Sequence, residues 1–369
     1  MAGDENALSV AHLDADAFYV SVELLRRPEL RGLPVVVAHE HPRAVVTTAS
    51  YEARRFGVGS AMPASRARRQ CPDAVFIKPD FAAYREASAQ MMGIVREHVG
   101  RVEVLGLDEA YLDIHELYSP RAAMRRLLAE IKTRTGLDCS VGIGPNRLVA
   151  KVASDAEKPS GFVVLTREQA CARFAGSPPS LVPGIGPKTA ARLEQLGLTT
   201  LAAVAAAPEQ ALVERFGPNL GRDLRRRARF EGGRTIGTPR KVVSESRERT
   251  FERDIADPGE LRDALTRMSE ELCEGLQRRE RRGRTIGIKV RLDDFTTVTR
   301  ARTIAEPTSD AAVVGEVARE LLAAYDPPRP VRLLGVRVAG LHRDGEEHGG
   351  EGTPGRAEGS ARAQLAMPI

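Results

Sequence analysis

Three acidic residues fall where a divalent cation could be held: Asp14, near the end of the apolar run VAHLDADAFYV, and the adjacent pair Asp108 and Glu109, at the turn between two short apolar runs. Acids at strand ends of one sheet can converge on a point. Their neighbours Leu13, Leu107 and Leu112 would leave that point partly buried. Clustered carboxylates repel, and burial sharpens the repulsion unless a cation neutralises it. A ligand set of oxygens without His or Cys selects Mg²⁺, with Mn²⁺ as a substitute. Two such ions, bridged by shared carboxylates, would activate a 3′-hydroxyl and stabilise a pyrophosphate leaving group. An isolated Asp-Glu pair at a turn is more often simply solvated or capping a helix, and Asp16 keeps that structural reading.

A second group of residues suits a triphosphate and shifts the balance. Tyr51 and Arg54 stand three apart on an expected helix and so share a face. Lys158 follows a helix in SDAEKPSG. A guanidinium can take phosphate oxygens two at a time, and an ammonium and a phenol complete the set. Taken singly, each is an ordinary surface residue. Further on, LVPGIGPKTAARLEQLGL places Gly184, Gly186 and Lys188 at the start of an amphipathic helix. Glycines there let backbone N–H groups approach a phosphate, and the helix N-terminus adds a favourable dipole. The segment resembles a helix-hairpin-helix, which grips the DNA backbone without reading sequence; a plain glycine-capped turn between helices is the alternative.

These groups need a scaffold. The pattern predicts a buried strand ending near Asp14, a helix over 21–30, strands over 34–38 and 43–48, and a basic helix over 51–56. An amphipathic helix over 81–99 follows, then a hairpin over 102–107 and 111–114, a helix over 120–135, a strand over 139–143 and a helix from 147. Such mixing indicates an α+β sheet covered by helices. From about 167 to 235 the pattern is helical. Residues 222–249 hold ten Lys and Arg against four acids, the footprint of a phosphate-tracking surface. Mixed strands and helices return from 242, with strands over 285–295 and 331–341, and the chain from 342 onward is too polar to pack.

The 369-residue length requires more than one core. A net charge of +5 permits an anionic partner. The four cysteines form no CxxC pair, which argues against zinc or a disulfide framework and for a reducing compartment. The N-terminus lacks the apolar stretch of a signal peptide and no run is long enough to span a bilayer, so a cytoplasmic protein without membrane contact is expected.

Together these segments resemble the Y-family translesion DNA polymerases, most closely their DNA polymerase IV branch. The matching stretches are LDADAFYVSVE at 13–23, GLPVVV at 32–37, TTASYEARRFGV at 47–58, LDEAYLD at 107–113, VGIGPNRLVAKVASDAEKPSG at 141–161 and VPGIG at 182–186. They occur in the family's order over about the first two-thirds of the chain. The resemblance implies an α+β multidomain right hand: a palm over 1–26 and 81–167, fingers over 27–80, a helical thumb over 168–235, a basic linker over 236–246, an α/β little finger over 247–342 and a disordered tail over 343–369. It implies Asp14 and Asp108 as ligands of two Mg²⁺ ions, with Glu109 as a catalytic metal-site acid and the Ala15 carbonyl facing a metal. Tyr51, Arg54 and Lys158, with Thr48 close by, would hold a dNTP. Tyr19 matches the aromatic gate that rejects a 2′-hydroxyl. Small residues at Val45, Thr47 and Ala61 would form a loose roof over the nascent base pair, implying low fidelity and tolerance of lesions. Primer–template DNA would meet Gly184, Gly186, Lys188, Arg240 and Lys241. The terminal QLAMPI, through Gln364, Met367 and Ile369, resembles a sliding-clamp peptide, with a meaningless tail as the alternative, and a monomer is expected. Two positions depart from the pattern: Gly106 stands where Ser is usual, and Ala17 where a bulkier residue is.

Two other functions fit parts of the chain. A non-catalytic DNA-binding scaffold would use the helix-hairpin-helix but has no need of the acid triad. An enzyme making a cyclic nucleotide would use the acids but not the PGIG turn and basic linker.

Overall fold

The computed structural model describes residues 8–237 and 242–343. Contacts divide the chain into two compact units, one of residues 1–40 and 44–239, the other of residues 41–43 and 240–369. Among the described residues no helix is long and apolar enough to cross a membrane.

In the first unit the chain runs through β1 (Val10–Ala15), α1 (Phe18–Arg26), β2 (Val35–Ala38), β3 (Val46–Ala49), α2 (Tyr51–Arg54), α3 (Ala64–Gln70) and β4 (Val75–Ile77). It continues through α4 (Phe81–His98), β5 (Val102–Val104), β6 (Glu109–Asp113), α5 (Pro120–Thr135), β7 (Cys139–Gly144), α6 (Arg147–Asp155), β8 (Phe162–Val164) and α7 (Arg167–Arg173). Four short helices follow: α8 (Pro187–Glu194), α9 (Leu201–Ala206), α10 (Glu209–Phe216) and α11 (Pro218–Ala228).

A five-stranded sheet, ordered β5-β6-β1-β7-β8, carries the three acids. Its central strand β1 is buried at every position, as expected for a strand covered on both faces. α1, α4 and α5 pack their apolar stripes on this sheet around Leu13, Met91, Leu112, Leu127 and Ile143. A small sheet, β3-β2-β4, has its own core of Val36, Val46, Ala53 and Ala67. The helical segment gathers Val182, Leu193, Leu212 and Leu224 about a third core. That core also takes in Leu148 and Val152 of α6, so the helical part is anchored through the helix that follows β7.

The second unit contains β9 (Ser244–Ile255), α12 (Pro258–Arg278), β10 (Arg281–Leu292), β11 (Thr297–Thr308), α13 (Ala311–Tyr325), β12 (Val331–Ala339) and β13 (His342–Arg343). Its sheet is ordered β11-β10-β12-β9. On β10 the alternating Ile286, Ile288, Val290 and Leu292 are buried against α12 and α13, the period-two pattern of a one-sided sheet.

Several expected boundaries shift. α1 begins at Phe18 rather than 21, which puts Tyr19 on the helix. Glu109 belongs to β6 rather than to the turn, because its backbone pairs with Asp14. β10 stops at Leu292, and Phe295 turns back with a φ of 67°. The strands β9 and β11 are rich in charge and escaped the apolar pattern. His342 and Arg343, expected in the unpacked tail, pair with Arg282 and Arg281 of β10; backbone pairing does not require apolar side chains.

Candidate active site

The site begins with register. β1 lies between β6 and β7, and Asp14 stands opposite Glu109 on one side and Ser140 on the other. The Ala15 amide donates to the Asp108 carbonyl at 2.8 Å. Two acidic segments almost a hundred residues apart are thus locked side by side.

β7 brings the cations. A Cβ at Gly142 would lie 2.1 Å from the Ala150 carbonyl oxygen and 2.2 Å from the Ser154 nitrogen. The glycine is therefore what lets α6 rest its backbone directly on the strand. Asn146 caps α6 by accepting from the Val149 amide at 3.0 Å. Held this close, α6 delivers Lys151 Nζ to 2.9 Å from Asp14 Oδ2 and 3.0 Å from Glu109 Oε2. Lys158, in the loop beyond α6, places Nζ 2.7 Å from Asp14 Oδ1 and 2.7 Å from Asp155 Oδ1.

Asp16 ties that loop to the sheet. It accepts from the Ser160 amide at 2.7 Å and from the Ser140 hydroxyl at 2.9 Å. The Tyr51 hydroxyl donates to Asp16 Oδ1 at 3.4 Å. Ser50 caps α2 through the Ala53 amide, and the Arg54 guanidinium lies 4.7 Å from the centre of the Tyr51 ring. Thr48 is buried on β3 opposite Val37. Lys158 thus contacts Asp14, while Asp16, held by Ser140 and Ser160, meets Tyr51, against whose ring Arg54 lies.

The carboxylates differ in their electrostatics. Burial, with the charges of Asp14 and Glu109, pushes Asp108 up to about 6. Glu109 is held down at about 2, first by His12 and, against the cost of burial, by Lys151. Burial alone would lower the Lys151 ammonium, but Asp14, Asp155 and Glu109 outweigh it and hold the group above its ordinary range. Burial raises Asp16, opposed by the Ser160 amide and Ser140. Gly106 has a direct bearing here, since a Cβ at that position would come within 3.2 Å of Asp108 Oδ1. Ala17, just before α1, has a φ of 45°, a conformation that disfavours a larger side chain.

Tyr19 projects from α1 onto Tyr84, with ring centres 4.5 Å apart, and Phe81 meets it edge-on at 5.9 Å. Burial and the nearby Asp108 push its phenol up to about 12, so its ring is a neutral wall. Gly184, with a φ of 93°, and Gly186, the residue before α8, form the turn of the helical core; Lys188 is exposed beside them. This turn belongs to a different core from the acids. Arg240, Lys241, Gln364, Met367 and Ile369 lie outside the described residues.

Two residues of the site were not singled out from the sequence. Lys151 is one. His12 is the other: buried, two residues before Asp14 on the same face of β1, with Nδ1 2.9 Å from Ser154 Oγ and Nε2 3.3 Å from Glu109 Oε2. The period-two spacing of a strand could have flagged His12, whereas Lys151 needs the closeness of α6. Among the described residues, ligand atoms of His12, Asp14 and Glu109 lie within 4.8 Å of one another, and Asp108 stands beside that set. The Asp14 and Glu109 oxygens converge closely enough for one ammonium to touch both, so their spacing and hard chemistry fit a divalent cation.

Comparison with known proteins points one way. The impB/mucB/samB family model matches residues 13–155, and the model of that family's C-terminal domain matches 242–351. The chain is 41% identical to a DNA polymerase IV of Streptomyces coelicolor, over 91% of this chain and 71% of that one. It is 39% identical to a DNA polymerase IV of Methanoculleus marisnigri, over 90% and 94% of the two chains. Among solved structures, a Y-family DNA polymerase chimera superposes with a TM-score of 0.80 at 24% identity, covering 91% of this chain and 99% of that one.

Proposed function

This chain belongs to the impB/mucB/samB family, alongside the DNA polymerase IV enzymes, and on that premise we propose how its own residues carry out the reaction. It is a low-fidelity, DNA-directed DNA polymerase that extends primers past damaged template, using dNTPs and a divalent metal.

The metal is Mg²⁺, as two ions held by Asp14, Asp108 and Glu109 with the Ala15 carbonyl. When bound, such ions supply Lewis acidity toward the 3′-hydroxyl and neutralise charge on the leaving pyrophosphate. The observation that carries this assignment is the register that sets Asp14 against Glu109 with Asp108 adjacent. Lys158, Tyr51 and Arg54 hold the triphosphate. Their support is the Lys158 ammonium on Asp14 and, separately, the contact of Asp16 with the Tyr51 hydroxyl, whose ring carries the Arg54 guanidinium. Preorganised cations of this kind stabilise the charge developing on transferring phosphates without reorganising. Tyr19 forms the wall beneath the sugar and excludes a 2′-hydroxyl.

The helical part, through Gly184, Gly186 and Lys188, and the linker, through Arg240 and Lys241, bind primer–template DNA as a thumb and linker. The second unit is the little finger, and the C-terminal Gln364, Met367 and Ile369 engage a sliding clamp. The protein acts as a cytoplasmic monomer.

The test is primer extension on undamaged primer–template with Mg²⁺ and dNTPs, comparing the natural protein with Asp108→Ala. Extension lost in the variant while DNA binding persists is the expected result. Equal extension by both would remove Asp108 from the metal site.

A further inference from the structure

Beneath Tyr19 lies a buried carboxylate that metal and triphosphate binding do not use. Tyr19 and Glu23 stand four apart on α1 and share a face, and Phe81 and Tyr84 stand three apart on α4. The Tyr84 ring, wholly buried, is stacked against Tyr19 at 4.5 Å with 29° between their planes. Phe81 closes the group edge-on to Tyr84 at 5.7 Å. The Tyr84 hydroxyl donates to Glu23 Oε1 at 2.8 Å. Glu23 is only 1% exposed, and its Oε2 has no hydrogen-bond partner.

The cations near Glu23 compensate it only loosely. Arg26 Nη1 stands 3.7 Å from Oε1 and Arg27 Nε 4.0 Å from Oε2, both half exposed. Arg26 makes its closer contact, 2.9 Å, with Asp80, the cap of α4. A buried carboxylate with one good hydrogen bond is costly to fold, and its surviving bond is correspondingly hard to give up. That bond fixes the Tyr84 ring, whose face then limits the tilt open to Tyr19.

We infer that Glu23, acting through the Tyr84 hydroxyl, is a positioning residue that holds the Tyr19 ring in place and so sets how strictly the enzyme separates deoxyribonucleotides from ribonucleotides. The inference rests on the assignment of Tyr19 as the sugar wall. It identifies what makes the wall rigid: a 2′-hydroxyl is rejected only if the ring cannot tilt away, and an unpinned side chain yields to small displacements.

The experiment is single-nucleotide insertion by the full-length protein, reading the ratio of kcat/KM for a dNTP to that for its rNTP. It uses Tyr19→Ala, Glu23→Met, Glu23→Gln and Tyr84→Phe. Tyr19→Ala is expected to lower the ratio on the order of 100-fold, and Glu23→Met and Tyr84→Phe about tenfold, the range over which a pocket wall discriminates. Glu23→Gln keeps an acceptor for the Tyr84 hydroxyl and should retain most of the natural ratio. A purely structural role for Glu23 would slow both nucleotides equally and leave the ratio unmoved. That result in Glu23→Met, or in Tyr84→Phe should the first variant not fold, overturns the inference while Tyr19→Ala still lowers the ratio. No change with Tyr19→Ala overturns the sugar-wall assignment and the inference with it.

Discussion

The two large sheets carry charge in opposite ways. In the first, Asp14 and Glu109 face each other across a strand pair and share one lysine, and Asp14 is buried. In the second, charge lies on an open face: Lys289 and Glu248 pair at 2.8 Å, each about a third exposed, and Arg337 is exposed. Water screens the second set, so each charge there is worth little alone. The first set is screened poorly, and each member alters the others. The first sheet thus concentrates charge at one point, and the second spreads it over a surface.

Removing an acid should separate the sheets most sharply. Asp14→Asn is expected to reduce insertion on the order of 1,000-fold or more, as loss of a transition-state charge partner does. Steady-state insertion kinetics measure it, and a loss below tenfold would refute the burial argument.

Backbone closeness gives the next contrast. Gly142→Ala forces a Cβ into the backbone of α6 and should cost about 3 kcal/mol of stability. Gly287→Ala on β10 meets the Arg300 carbonyl at 3.1 Å, a clash that a small shift relieves, and should cost about 1 kcal/mol. Urea titration of each variant gives the order; equal costs would mean that α6 can lift off β7.

The Lys151 ammonium uses the oxygens assigned to the metal, so Lys151→Met should tighten Mn²⁺ binding, read by electron paramagnetic resonance, about tenfold. Weaker binding would show that the lysine helps to assemble the site rather than competing for it.

The acids also predict a pH dependence without metal. Asp108, raised to about 6, binds its proton more tightly folded than unfolded, so its contribution to stability falls as pH rises from about 4 to about 6. Glu109, lowered to about 2, does the reverse: its contribution is complete above the ordinary glutamate range and is lost as pH falls toward 2. In chelator at pH 7.5, Asp108→Asn should raise Tm by about 3 °C, and Glu109→Gln should lower it. Scanning calorimetry from pH 4.5 to 7.5 should show the Tm of Asp108→Asn rising relative to that of the natural protein as pH increases; a constant difference would remove the Asp108 contribution. The smallest effect is expected from the open sheet: Arg337→Ala should lower the slope of log affinity for DNA against log salt by about 1, with insertion chemistry intact.

Much of the architecture was legible in the residues. The α+β class, the strand ending near Asp14, the helices at 81–99 and 120–135 and the convergence of the acids follow from apolar period and from carboxylates at strand ends. What escaped the pattern was polar or close. β9 and β11 pair through backbone groups while their side chains face solvent, so apolar alternation does not reveal them. Lys151 looks like any helical lysine until Gly142 brings α6 onto β7. Glu23 reads as a surface acid on an amphipathic helix, yet α4 covers it and gives it Tyr84 as a partner.

The sequence by itself determined which groups are available: three oxygen acids, a tyrosine, an arginine and a lysine suited to phosphate, an aromatic at position 19 and glycines at the PGIG turn. It also fixed the periodicities that build the strands and helices around them, because those depend on neighbours a few positions away. The tertiary structure decided how each group behaves. Asp108 is raised and Glu109 lowered although they are adjacent in the chain, and Asp14 meets lysines while Asp16 meets serines and a tyrosine. Those differences arise from desolvation and from charges within a few ångströms, supplied largely by residues from 35 to 144 positions away that only folding brings near.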